Sequence, residues 1–252
     1  MNSYKKLLDD TSRLLSFHRS FGVDKYPITK ELGAFLAESS ENMNASRVQN
    51  KHKKSETASR QSTPLKLAGT IAEIRADLGD CIRCSLHKGR TSLIFGSGNE
   101  GAKLFIVGEW PNRFDDQAGE IFSGAEGEML DNMLTHVLKL SRNEVYLSSL
   151  IKCRVPEDAH PEAQQISACA PFLLRQIAVV QPKIICAMGP IAAQTLLKTN
   201  KSLIKLRGRF HDVHGIPLMP TFHPSYLIKN PELKKAALHD LQMVRQQLAG
   251  MP

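Results

Sequence analysis

Four of the five cysteines stand in one pattern: Cys81-x2-Cys84, then Cys153 at the end of an apolar run, then Cys169 sixteen residues further on. Four thiolates so spaced can hold either an iron–sulfur cluster or a zinc ion, and cysteine spacing does not separate the two. Cys186, in IICAM, stands apart and reads as a small core hydrophobe. The segments around the four carry further chemistry. Glu109 opens GEWPNRFDDQAGEIFSG directly after an apolar run; a carboxylate held there, with Pro111 fixing the loop, can orient or deprotonate a water. Phe122 lies in a loop bounded by Gly119 and Gly124, where an exposed aromatic can stack on a nucleobase; a plug in the core is the plainer reading. His223 precedes Pro224, which keeps its backbone extended. Its imidazole can donate to a developing anion or shuttle a proton. Ser225 follows it, and Arg207 and Arg209 in KLRGRF are cations suited to phosphates.

These residues need elements to hold them. From Leu65 onward the chain alternates helical and apolar-run patterns. LAGTIAEIRADLGD is an amphipathic helix running into Cys81, AKLFIVGE a strand, EGEMLDNMLTHVLKL a helix and EVYLSSLIKC a strand. PEAQQISACAPFLLRQIAVVQ is a long helix opening near Pro161, KIICAMG a buried strand and PIAAQTLLK a helix. GIPLMPTFHPS gives a fourth strand, and ELKKAALHDLQMVRQQLAG closes the chain as a helix. Four apolar runs separated by helices predict an α/β fold, a mostly parallel sheet covered on both faces. Ligands of such sheets sit beyond the carboxyl ends of the strands, where Glu109, Ser149, Gly189 and His223 fall. Residues 1–38 show helical spacing. Residues 39–65 are polar, basic and poor in large apolar side chains, as in a flexible linker. The domain proper is expected over 66–250.

The chain has 252 residues, a formal charge of +8 and a sequence pI near 9.3. A basic balance favours a polyanionic partner such as nucleic acid. No apolar run is long enough to cross a membrane, and MNSYKKLLDD lacks the apolar core of a secretory signal. An odd number of cysteines without a signal fits a reducing, cytoplasmic setting, where clustered cysteines bind metal more often than they pair.

The blocks CIRCSLHKGRTSLIFGSGN, VGEWPNRFDDQAGEIFSGAEGEML, VYLSSLIKCRVP, ACAPFLLRQIAVVQPKIICAMG and PTFHPSYLIKNPELKKAALHDL resemble, in order and near spacing, the family 4 uracil-DNA glycosylases. These are the iron–sulfur branch of the uracil-DNA glycosylase superfamily. The resemblance runs from about Leu65 to Leu248; residues 1–64 match nothing in the family. It implies a three-layer αβα domain around a four-stranded, mainly parallel sheet. It also implies a [4Fe–4S] cluster on Cys81, Cys84, Cys153 and Cys169, with the segment between the last two ligands, beginning at Arg154, near DNA. Glu109 falls on the carboxylate of the family's GEAPG motif. Phe122 falls on the aromatic that stacks on the extruded base, and His223 on the histidine that faces the base carbonyl.

The departures bear on specificity. GEAPG becomes GEWPN, so Trp110 replaces a small residue at the pocket wall and Asn112 replaces a glycine. That tryptophan must either narrow the pocket or turn away from it. NVVKCRPP becomes SLIKCRVP, which puts Ser149 where the family has an asparagine reading the base edge. A hydroxyl is shorter and rotatable where an amide offers a fixed donor and acceptor. Loss of a bidentate base contact costs ~1–3 kcal/mol of discrimination. The resemblance therefore implies a monomeric DNA glycosylase for uracil or another deaminated base. Two other readings stand beside it: a weakly active or inactive iron–sulfur DNA-binding module, and a zinc-bound interaction domain.

Overall fold

The computed structural model describes residues 69–156 and 159–251. The helices expected over 1–38 and the linker over 39–65 lie outside the described residues. The four apolar runs become strands: β2 (Leu104–Gly108), β3 (Val145–Ser149), β4 (Ile184–Met188) and β6 (Ile216–Thr221). Two short strands, β1 (Ser97–Gly98) and β5 (His211–Val213), extend the sheet to six in the order β1-β3-β2-β4-β6-β5. The four central strands are parallel, and the two edge strands pair antiparallel. The four-stranded expectation thus describes the centre of the sheet. A two-residue strand and the polar triplet His211-Asp212-Val213 carry no apolar run by which to be read.

Every residue of β2, β3 and β4 is buried, as strands covered on both faces must be. Helix α1 (Ile71–Leu78) starts at a capping box: Thr70 accepts from the Glu73 amide and Glu73 accepts from the Thr70 amide. The long helix α4 (Ala163–Val180) carries Cys169, and its end packs near β3. The closing helix α8 (Lys234–Ala249) lays Ala237, Leu241 and Val244, one helical face, against β4 and β6. The helix expected over 126–140 forms as α3 (Gly124–Asn132) and then loosens into a π-helical turn over Met133–Leu138. Three short helices, α2 (Arg113–Ala118), α6 (Leu203–Leu206) and α7 (Pro224–Lys229), are too brief to show a helical period in the sequence. Helix α5 (Pro190–Leu197) begins at the end of β4 with Pro190 in its first turn. Among the described residues no helix is long and apolar enough to cross a membrane.

Candidate active site and metal centre

The carboxyl ends of β2, β4 and β6 bring Glu109, the start of α5 and His223 together. Gly108 ends β2. A Cβ there would stand 2.9 Å from Phe122 Cζ, and 3.6 Å from His223 Nε2. The missing side chain is therefore the space in which the two rings meet. Their centroids lie 5.8 Å apart with planes 28° from parallel. Phe122 matches the plainer of its two sequence readings, an aromatic in the core rather than an exposed loop ring. It is buried, on a backbone with φ +56°, and its ring forms the floor of the site. A left-handed backbone at a bulky residue costs energy and persists where surrounding contacts fix it. Here they are the amide of Ser123 held by Asp115, and the carbonyl of Phe122 held by Arg142 at 2.7 Å.

Glu109 is partly buried. Its Oε1 accepts the amide of Ile191, in the first turn of α5, at 2.7 Å. Burial pushes the carboxyl up to about 7, against the pull of the Ile191 and Ala192 amides. The approach depends on Gly189, which has φ +106°; a Cβ there would stand 2.6 Å from Glu109 Cγ. Gly189→Ala is accordingly expected to displace the carboxylate. Any activity that depends on it should fall about tenfold or more while the chain stays folded, as steady-state kinetics and circular dichroism would show.

His223 caps α7. Its Nδ1 receives the Ser225 amide at 3.3 Å and lies 2.8 Å from the Ser225 hydroxyl. An amide can only donate, so Nδ1 is the acceptor and the ring proton sits on Nε2, the nitrogen on the Gly108 side. Burial lowers the imidazole pKa to about 4, which makes His223 a neutral donor at neutral pH. Glu126 lies 4.0 Å from Nδ1. Burial raises its carboxyl pKa, and a hydrogen bond from the Asn112 side chain opposes that rise.

The other expected residues are placed differently. Trp110 turns to meet His160 edge-on, with centroids 5.9 Å apart at 81°. Ser149 is buried, and its hydroxyl donates to the carbonyl of Ile151 at 2.6 Å. Arg154, expected near phosphate, donates to the Gly89 carbonyl and stands 3.8 Å from the buried Asp116 carboxylate. Arg207, also expected at phosphate, is paired with the fully buried Asp240 at 2.8 Å and lies over the Phe222 ring. Both cations face buried carboxylates, which hold them inward. Arg209 is hydrogen bonded to the Lys205 carbonyl.

The four patterned cysteines converge from three segments to line one cavity, with Leu93, Ile151 and Ala168 beside them. N–H donors point at three of the sulfurs. Arg90 Nη1 lies 3.3 Å from Cys153 Sγ, Arg83 Nη1 3.5 Å from Cys81 Sγ, and the Lys152 amide 3.3 Å from Cys169 Sγ. Burial raises the thiol pKa of Cys153, and pushes that of Cys169 up to about 11. A metal that displaces the thiol protons would relieve this cost. Among the described residues no three metal-ligating side chains are gathered closely enough for a single ion. Cys186 is wholly buried in β4 with its thiol pushed up to about 12, in keeping with a core role.

The sequence marked Asn112 only as a departure from glycine and assigned no role to Asp115 or Asp116. Asn112 caps α2, accepting the amides of Phe114 and Asp115 at 2.6 and 2.9 Å. Asp115 returns the bond to the Asn112 amide at 2.9 Å. The capping-box spacing Asn-x-x-Asp was legible in NRFD.

The model of the Uracil DNA glycosylase superfamily matches residues 95–242. The type-4 uracil-DNA glycosylase of Saccharolobus solfataricus is 33% identical over 187 residues, which covers 71% of this chain and 87% of the relative. That of Sulfurisphaera tokodaii is 32% identical, covering 70% and 84%. That of Thermotoga maritima is 36% identical over 169 residues, covering 66% and 88%.

Proposed function

The chain belongs to the uracil-DNA glycosylase superfamily, and from that premise we propose that it hydrolyses the N-glycosidic bond of uracil or another deaminated base in DNA. The observation that carries the reading is the convergence of Glu109, Phe122 and His223 at the strand ends, with His223 fixed as an Nε2 donor.

The enzyme first extrudes the nucleotide, which costs a few kcal/mol and less at a mismatch. Phe122, fixed beside His223, stacks on the extruded base. Cleavage builds positive charge on the sugar and negative charge on the departing base. Neutral His223 donates from Nε2 to the base oxygen that gains charge. This is worth most in a dry site with the donor already oriented. Glu109, held by the α5 amides, positions a water or faces the cationic sugar. Its pKa near 7 leaves both protonation states populated at neutral pH. The product is an abasic site.

The cysteine set fits a [4Fe–4S] cluster on Cys81, Cys84, Cys153 and Cys169. Bound there, the cluster supplies a cross-link between the start of the domain, the end of β3 and α4. The protein is read as a cytoplasmic monomer acting on DNA.

Oligonucleotides carrying uracil, hypoxanthine or xanthine, single- and double-stranded, test the activity by alkaline cleavage after incubation. Cleavage of none of them at high enzyme rules the glycosylase reading out. One observation favours an inactive module instead: the Ser149 hydroxyl is occupied by Ile151 and does not reach for a base. Ser149→Asn tests whether this position sets specificity. It is expected to raise the preference for uracil over hypoxanthine about tenfold or more, in keeping with ~1–3 kcal/mol for a restored base contact. An unchanged ratio removes Ser149 from specificity.

A further inference from the structure

Helix α2 lies between the cysteine-bearing segments and the base-stacking residue, and two adjacent buried carboxylates face in those two directions. Asp116 receives the amides of Thr91 at 2.9 Å and Ser92 at 3.0 Å, the two residues after Arg90. Arg90 in turn holds the Cys81 carbonyl at 2.6 Å and Cys153 Sγ at 3.3 Å. Arg154, the residue after Cys153, approaches the same Asp116 carboxylate at 3.8 Å. Asp115 faces the other way. Its Oδ1 receives the amide of Ser123, next to Phe122, at 2.6 Å, and its Oδ2 the amide of Asn112 in the Glu109 loop. Both carboxyl groups are almost entirely buried, so each hydrogen bond is made where an unpaired partner would be costly.

We infer that Asp115 and Asp116 are positioning residues that tie the metal-binding segments to the base pocket, so that the placement of the cysteines sets the backbone of Phe122 and of the 108–112 loop. The inference rests on the glycosylase and cluster reading and deepens it. One carboxylate alone would be a local cap. Two on consecutive residues of a six-residue helix form a short rigid bridge, because α2 has too few residues to bend between them. The charges support the same arrangement. Burial pushes the Asp116 carboxyl up, but the Ser92 and Thr91 amides and Arg154 outweigh it and hold it below its usual range. It is an anion facing the metal side. For Asp115 burial prevails over the amides of Ser123 and Asn112, and its carboxyl is raised.

Amide hydrogen exchange on the iron-loaded full chain, in wild type and Asp116→Asn, tests the bridge. The variant keeps the size of the side chain and removes its charge. Thr91 and Ser92 are expected to exchange faster because one of their two acceptor oxygens becomes an NH2 group and the other loses its charge. The inference adds that Ser123, which has no hydrogen bond to Asp116, and Asn112, which meets Asp116 only through its carbonyl and the Asp116 amide at 3.1 Å, also exchange about tenfold faster at unchanged iron content. Faster exchange confined to Thr91 and Ser92 overturns it, as does no change at any of the four. If Asp116→Asn does not fold, Arg154→Gln weakens the same hold from a part-exposed position, with the same four amides expected to respond to a smaller degree. No response at Asn112 and Ser123 there counts equally against the bridge. Wild-type protein that holds no iron would sink the cluster reading instead, and iron analysis of each sample keeps the two failures apart.

Discussion

Glu109→Gln is expected to lower kcat/KM for base excision by roughly 10²–10⁴-fold, the range for losing a positioned general base, while making the protein more stable above neutral pH. The two effects share one cause. Glu109 is held in the folded state with a pKa of about 7 against an ordinary value of 4.5. The folded protein therefore binds this proton more tightly than the unfolded chain does. The resulting stability is fully present below about pH 4.5 and is lost as the pH rises to 7. That difference corresponds to roughly 3 kcal/mol at most, because water reaches part of the group. Glutamine keeps an oxygen for the Ile191 amide and carries no charge, so it escapes that loss. Denaturant titration at pH 5 and pH 8 reads the difference; a variant no more stable than wild type at pH 8 refutes the assignment of strain to Glu109. The pH profile gives a second check. kcat/KM should climb with unit slope below pH 7 and level off above it, with the climb absent in the glutamine variant. His223, neutral above about pH 4, sets no limb in that range. A profile flat from pH 5 to 8 would show that the ionised carboxylate is not the working form.

Under the cluster reading, removing the metal is expected to have the larger effect on stability. Treated as cross-links, ligands closing loops of ~15 and ~100 residues contribute about 3 and 4.7 kcal/mol. The intervals from Cys153 to Cys169 and from Cys84 to Cys153 are of those two orders. Loss of both ties should lower the melting temperature by on the order of 15 °C for a domain of this size. Cys169→Ser is the cleaner probe, because Cys169 is the ligand contributed by α4 and binds the end of β3 through the Lys152 amide. Calorimetry on iron-loaded wild type and on the variant would measure the change. Equal melting temperatures, with iron present only in wild type, would mean that the cysteines are held by the fold rather than holding it.

Much of the framework was legible in the sequence because it rests on local pattern. The apolar runs LFIVG, VYLSS and IICAM are long enough to be strands and too apolar to be anything exposed. The cysteine spacing marked four residues that do share a cavity. What was missed depends on residues far apart in the chain. Arg207 reads as a phosphate ligand until Asp240, thirty-three positions on, is seen against it. The partner of the Ser149 hydroxyl is a backbone carbonyl, and side-chain identity says nothing about those. Trp110 had two possible orientations, and the choice was made by His160, fifty residues away. Helix α2 was lost because six residues are too few for a helical period to show; its cap was the readable part.

Cys186 has a practical consequence. It is the one cysteine of five outside the metal set, and its thiol is both inaccessible and held protonated far above working pH. It should be silent to alkylating reagents in the native protein. A thiol count under native conditions then leaves Cys186 out and reads chiefly Cys81 and Cys84, because Cys153 and Cys169 are themselves raised by burial; under the cluster reading, labels at that pair mark chains without a cluster.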